Sequence, residues 1–557
     1  MRDDTLVEWR EWGPEAFAEA ERAGKPLLLS LSASWCVACD EMDRTTYADP
    51  RLAGHLKEGF VPVRVDVDRQ PRARERYNMG GFPSTVFCTP DGRIITGAGY
   101  MSADGLRSAI DTVRETWNAK GTDAGRVPRA LQDPEPPHGP VTAEIEAHFV
   151  EQVAAAFDEE FGGWGTDAKF PLPRTVEFAA KRDIERAERT LQAIQTHLYD
   201  TYDGGFYRYA TNRNWGGELH REKLLDENAA LVRAFATGYL YTGEESYRDT
   251  ATGTVEYLTT ELWTGDAFAG SQAGGDYYTL SPSDREEADP PVVDDTAYAD
   301  RNGLAADALF RLGAYTDDER ATRYAERALE YVLETLVTGA ADDDAGASGS
   351  EPGAVEVAHH DGDDAETGLL LDGARVLLGL TAGVQATGDE KYLDAARAVA
   401  DATLDLQASD GAFLDGPREG PGLLDRPLRP LDANVEFADA LIDLAALTGE
   451  SRYREAAEAA LGAFAGAASR MGAEVAGYGA VCARSVYDPL VVETPSVGTD
   501  LHRAAWRIAD HEKVVVPGDR DAAVVVRGDH RSEPATTPDE LTERAAEARP
   551  EDVIGGE

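Results

Sequence analysis

Two cysteines, Cys36 and Cys39, stand two residues apart in the stretch SASWCVACDEM, directly after Trp35. A pair at this spacing supports three chemistries: a redox dithiol, half of a zinc site, or a small disulfide staple. A structural zinc site needs four thiolate or imidazole ligands, and the remaining cysteines, Cys88 and Cys482, are isolated in the sequence. A staple would close only a very short loop and is disfavoured in a reducing compartment. The dithiol is the favoured reading, with no metal and no cofactor expected. At a junction of strand and helix, the unpaired N–H groups and dipole of the helix start would stabilise a Cys36 thiolate, the attacking species. Cys39, one turn on, is placed to resolve a mixed disulfide. Trp35 would shield one side. Later in the chain, GGFPST puts Pro83 at the head of a strand. A cis Phe82–Pro83 bond there would set backbone beside the sulfurs to pair with an extended substrate.

A second group of residues could do acid–base work. His220, Glu222, Asp226 and Glu227 lie together in HREKLLDENA, and Asp200, Asp295 and Asp300 occur beside glycine or aromatic loops. On a continuous helix His220 and Glu227 would share a face, as would Glu222 and Asp226. A hydrolase site needs one protonated acid and one base, with environments that separate their pKa values. Acids at helix starts and in loops are common in this chain, so a solvated or structural role competes with catalysis at each of these positions.

The elements that must position these residues fall into two kinds. From 14 to 117 the order reads helix, strand, helix, strand, helix-like connection, strand, strand, helix, with PLLLSLSAS running into the cysteines and a hairpin turning at Pro90-Asp91-Gly92. That order is thioredoxin-like, and the domain is assigned to residues 1–117. Residues 118–140 turn to Gly, Pro and charge and read as a linker. From 141 to 513 the periodicity becomes helical. TGEESY, TGDEKY and TGESRY repeat one junction, in which a helix ends at Gly243, Gly388 or Gly449 and a tyrosine four residues on opens the next. About a dozen helices pair into six hairpins, which close naturally into an (α/α)6 toroid. Within it, 340–364 reads as an acidic, disordered insertion. Residues 514–557 form a C-terminal tail with one strand-like run and a polar helix.

Across 557 residues there are 103 Asp and Glu against 54 Lys and Arg, a formal charge of −49. Such repulsion strains a folded chain in ordinary salt and largely vanishes in molar salt, where the Debye length is about 3 Å. Eight lysines against 46 arginines agree with a salt-adapted surface. No basic stripe exists to neutralise phosphates, which argues against nucleic acid. No apolar run approaches membrane-spanning length, and MRDDTLVEWREW does not read as an export signal, so a cytoplasmic location is expected.

WCVACDEMDRTTY, FVPVRVDVDRQP and GGFPSTVFCTPDGRII resemble the thioredoxin-like domain of the spermatogenesis-associated protein 20 family. EEFGGWGTDAKFPLP, YDTYDGGFYRYATNRNW, HREKLLDENAAL and PLDANVEFADALIDLAALTGESRY resemble later blocks of the same family, so the likeness runs from about residue 7 to 510. The resemblance implies a thioredoxin fold joined to a six-hairpin, glycosidase-like toroid, without a settled reaction. Many members carry His and Trp between the cysteines and His after them, where this chain has Val37, Ala38 and Asp40. A cysteine pair associated with the family's C-terminal end is absent here. The expected activity is thiol–disulfide exchange with a protein thiol or disulfide partner, the toroid binding carbohydrate or protein. The alternatives are a glycosidase- or epimerase-like enzyme with a thioredoxin-like accessory domain, and a non-catalytic folding or scaffold factor.

Overall fold

The run LLLSLS forms strand β2 (Leu27–Ser32), and all six residues are buried. A strand covered on both faces loses the usual in–out alternation, which is why this one reads as continuous apolar sequence. The computed structural model describes residues 5–132, 135–339 and 355–548, and divides into two units. The first holds residues up to Glu135 together with Gln272–Asp294 and Leu414–Leu428, two stretches that sequence reading leaves within the toroid.

Around β2 the first unit places β1 (Arg10–Glu11), β3 (Val61–Asp66), β4 (Ser84–Cys88) and β5 (Ile94–Ala98) in the order β1-β3-β2-β4-β5. β3 runs parallel to β1 and β2, while β4 is antiparallel to β2 and β5. The helices are α1 (Pro14–Ala23), α2 (Val37–Thr45), α3 (Pro50–Gly59), α4 (Pro71–Tyr77) and α5 (Ala103–Lys120). The sequence DEMDRTTYADPRL therefore yields two helices, because Asp49 caps a new start through the N–H groups of Arg51 and Leu52. α5 also runs three residues into the segment read as linker. Leu28, Met42, Leu52, Leu56, Phe87, Leu106 and Ile110 make one core cluster, each fully buried. Arg76, its side chain wholly enclosed, forks onto Asp415 (2.6 and 3.1 Å) and donates to the carbonyls of Leu423 and Arg426. That grip accounts for the membership of 414–428 in this unit.

The second unit carries, in chain order, α6 (Ala143–Ala156), α7 (Pro173–Arg182), α8 (Ile184–His197), α9 (Leu225–Thr242) and α10 (Glu245–Glu261). After the one-turn α11 (Pro282–Arg285) of the first unit come α12 (Ala299–Thr316), α13 (Glu319–Tyr331), α14 (Leu370–Thr387), α15 (Glu390–Leu404), α16 (Leu431–Thr448), α17 (Ser451–Ala465) and α18 (Ala476–Tyr487). Contacts run α7–α9–α12–α14–α16–α18 and back to α7, a closed inner ring. Each of α6, α8, α10, α13, α15 and α17 packs outside an inner helix. Six hairpins so arranged are an (α/α)6 toroid, traced by the chain's own packing. The repeated junctions end their helices as expected: Gly243, Gly388 and Gly449 take φ of 70°, 67° and 74°, the left-handed region that side chains resist.

Two devices tie the loops to the ring. Asn228, Asn302 and Asn434, each at the fourth position of an inner helix, pair their carboxamides with the backbone N–H and C=O of Phe206, Phe268 and Phe413. Lys169 bonds Asp158 and the Gly162 carbonyl, and Lys223 repeats this with Asp200 and Gly204. The residues read as a tail enter a four-stranded sheet in which Val514–Pro517 and Val524–Arg527 flank Val491–Thr494, followed by a helix at Pro538–Glu547. Within the segment read as a disordered insertion, 340–354 lie outside the described residues. Residues 355–364 are ordered, with Glu356–Val357 paired to Val337–Thr338 and His359 and His360 buried. The small, acidic composition around them hid these two imidazoles.

Candidate functional site

In the first unit, β2 ends at Ser32 and Cys36 caps α2. Cys36 Sγ accepts the backbone N–H of Cys39 at 3.1 Å, a donor it shares with the Cys36 carbonyl at 3.0 Å at the start of the helix. The two sulfurs are joined in a disulfide, and Cys36 and Cys39 are 6% and 3% exposed. Val37, between them, is exposed. The Phe82–Pro83 bond is cis, and Phe82 meets Trp35 edge-on with ring centroids 6.1 Å apart. Asn78 shapes the approach to that proline by accepting the N–H groups of Gly80 and Gly81. Cys88 closes β4, fully buried, and burial pushes its thiol well up.

An acidic group behind the cysteines escaped sequence reading. Trp35 donates its indole N–H to Asp68 at 2.7 Å, and Ser34 donates to Asp294 at 3.3 Å. Burial, followed by the neighbouring charges of Asp68 and Asp294, raises the Asp66 carboxyl to about 6. The alternation VRVDVD hinted at these acids, but Asp294 arrives from more than 200 residues away. A raised acid favours the protonated folded state, so its contribution to stability is full below the ordinary carboxylate range and lost as pH rises through about 6. Asp66→Asn, which keeps the neutral form, is therefore expected to gain on the order of 1–2 kcal/mol over the parent at pH 8, allowing for partial exposure. The gain should shrink toward pH 5. Urea unfolding followed by tryptophan fluorescence at both pH values and one salt concentration checks this; an equal gain at each would refute it.

In the second unit, the acids of HREKLLDENA do not share one helix. α9 starts only at Leu225, and His220 lies on a two-residue strand paired with Tyr209–Ala210. The expected facing pairs on a helix are therefore replaced by a different grouping. Arg208 donates to Glu222 (3.1 Å) and to Glu227 (3.0 Å), drawing the two carboxylates together. His220 lies 3.3 Å from Glu222 and stacks on Tyr209, which in turn stacks on the exposed Phe170. Phe170, Arg208, Asp226, Glu227, Arg375 and Glu436 line a cavity of about 340 Å³ in the toroid.

The two glutamates differ in proton affinity. Enclosure by the cavity walls, aided by Asp226 and Glu222 and opposed by Arg208, raises Glu227 to about 7, although 32% of its side-chain surface stays open. Burial works against ionised Glu222 as well, but the hydrogen bond with His220 and the charge of Arg208 hold it below the usual range. Such a split is what an acid–base pair requires.

The other predicted acids are placed elsewhere. Asp200 belongs to the buried loop lock with Lys223 (2.9 Å). Asp295 is exposed. Asp300 is buried and accepts from Arg375 at 3.0 Å; Arg375 also reaches Glu436 at 2.9 Å and Asp226 at 3.8 Å. Sequence reading missed Arg208, Arg375 and Glu436, whose types look like ordinary surface charge. It also missed the buried pair His359–Asp372, 2.9 Å apart.

Fold and site together define a thioredoxin-like α/β domain with a paired-cysteine centre, carried by the same chain as a six-hairpin helical toroid. Residues 2–131 match the model of the DsbH-type thioredoxin family described as protein of unknown function, DUF255. The chain is similar to spermatogenesis-associated protein 20 of Homo sapiens, at 29% identity over 324 residues covering 51% of this chain and 39% of that one. It thus spans well under half the length of that curated relative. Thiol:disulfide interchange protein DsbD 1 of Pseudomonas aeruginosa is 37% identical over 81 residues, 14% of each chain. Among solved structures, a sugar epimerase from a ruminal bacterium gives a TM-score of 0.43 at 14% identity, covering 57% of this chain and 85% of that one. Among the described residues, no helix is long and apolar enough to cross a membrane.

Proposed function

We propose that the protein is a cytoplasmic thiol–disulfide oxidoreductase acting on a protein partner. The observation that carries this reading is the Cys36–Cys39 disulfide at the N-terminus of α2, in the same domain as the cis Phe82–Pro83 bond. In the reducing direction, the Cys36 thiolate attacks one sulfur of the substrate disulfide and expels the other as a thiolate. The Cys39 thiolate then attacks Cys36, releasing the second substrate sulfur and restoring Cys36–Cys39. Two electrons pass to the substrate, and an external dithiol must return them to the protein. The test is reduction of a model protein disulfide in molar salt with a dithiol reductant. Turnover no faster than the reductant alone would defeat the proposal.

A second reading concerns the toroid. The exposed Phe170 face, the charged cavity and the divergent Glu222 and Glu227 support a carbohydrate-active site, with Glu227 as proton donor and Glu222 as the ionised partner. On this reading, sugar turnover falls as pH rises through about 7, where Glu227 loses its proton. Glu227→Gln is expected to lower kcat by about 10²- to 10⁴-fold while leaving reduction of the model disulfide unchanged. A saccharide panel assayed at several pH values measures both; a rate that climbs above pH 7 would speak against Glu227 as the acid.

A further inference from the structure

Asp300 stands second in α12, Asp372 third in α14, and His359 in the ordered end of the acidic segment. All three are buried, at 5%, 0% and 4% exposure. One nitrogen of His359 and one carboxylate oxygen from each aspartate lie within 4.8 Å of one another. The His359 Nδ1 to Asp372 separations, 2.9 and 3.1 Å, already match the spacing of two ligands on one ion, about 3 Å for bonds near 2.1 Å.

A separate observation points to a missing partner. Asp300 Oδ2 accepts from Arg375, but Oδ1 is buried without a hydrogen-bond partner. A buried carboxylate oxygen left bare in this way is costly, so such a group calls for an explanation. Charge leads to the same place. Arg375 is shared among Asp226, Asp300 and Glu436, of which Glu436 also feels Arg174 and Arg233, and Asp372 adds a fourth carboxylate nearby.

We propose that Asp300, His359 and Asp372 form a binding site for one divalent first-row transition cation, Zn²⁺ or Mn²⁺ in class. One imidazole and two carboxylates suit such ions better than Cu⁺, which wants thiolates, or Ca²⁺, which wants six to eight oxygens. The ion takes the bare Asp300 oxygen, one oxygen of Asp372 and the His359 nitrogen, leaving the remaining positions to water. Because Asp300 is shared with Arg375, and Arg375 lines the cavity, the ion also fixes one wall of that cavity. The proposal is independent of thiol exchange.

The test uses the full chain in molar salt, which suppresses loose binding by surface acids, with Cys36–Cys39 oxidised so that no thiolate competes. Zn²⁺ titration followed by calorimetry should show one saturable site, and Co²⁺ should give a visible d–d band that Zn²⁺ abolishes and Mg²⁺ does not. His359→Asn and Asp372→Asn should each weaken binding at least tenfold, whereas Asp295→Asn, an exposed control, should not. X-ray absorption on the Zn²⁺-loaded parent needs no variant and should show a nitrogen and oxygen shell with one imidazole and no sulfur. A sulfur shell, several imidazoles, no saturable site, or full binding by folded His359→Asn would each overturn the proposal.

Discussion

Cys36→Ser is expected to abolish disulfide reduction, with a fall of roughly 10³-fold or more, the scale on which loss of a nucleophile is felt. Cys39→Ser should behave differently. With Cys36 intact and its resolving partner gone, the first exchange still occurs and stops there, leaving a stable mixed disulfide with the substrate. The asymmetry follows from position: Cys36 caps α2 and its sulfur receives a backbone N–H, while Cys39 lies one turn inside, 3% exposed. Initial rates with a model protein disulfide, and intact-mass analysis of the trapped adduct, separate the two variants. An adduct on Cys36→Ser and none on Cys39→Ser would reverse the assigned roles.

The largest expected stability loss belongs to the ring's interior. Arg233 on α9 forks onto Glu177 of α7 at 2.7 and 2.9 Å and reaches Asp307 of α12 at 2.7 Å, and Arg311 meets the other Asp307 oxygen at 2.7 Å. Arg484 of α18 pairs with Asp439 and Asp443 of α16. Inner helices are thus cross-linked by buried ions where packed hydrocarbon would otherwise stand. Arg233→Met leaves Asp307 to Arg311 alone and Glu177 to the more distant Arg174 (3.6 Å), with the two carboxylates 0% and 5% exposed. Breaking one member of such a group costs about 3–5 kcal/mol. Salt barely screens buried pairs, so the loss should persist in molar salt. Lys391→Met, which removes the half-exposed pair with Glu330, should cost about 1 kcal/mol or less. Chemical unfolding of the three proteins in molar salt makes the comparison; a loss below about 1 kcal/mol for Arg233→Met would show that the network is not holding the ring.

Those same residues mark where sequence reading stops. Most acids of this chain read as solvated surface, and nothing in the letters distinguishes exposed Asp295 from Asp307, which is fully buried against two arginines. Helical periodicity reports how apolar positions repeat along one helix; it carries no information about which polar residue points down the axis of a ring closed by five others. The glutamates of HREKLLDENA illustrate this. Their proximity in sequence was visible, but the guanidinium that unites them comes from Arg208 in an earlier loop, and the helix assumed beneath them begins only at Leu225.

By itself the sequence determined the local features: the strand-to-helix position of Cys36, the proline-headed strand, the glycine helix ends at 243, 388 and 449, and the succession of helices that makes six hairpins. These follow from propensities and backbone sterics acting over a few residues. Only the tertiary structure decided which charges meet: Asp66 with Asp294, Glu222 with Glu227 through Arg208, His359 with Asp372, and Arg233 with its two acids. Such meetings are governed by burial and by Coulomb forces at low dielectric, attractive or repulsive, which depend on distance in space and are blind to distance along the chain.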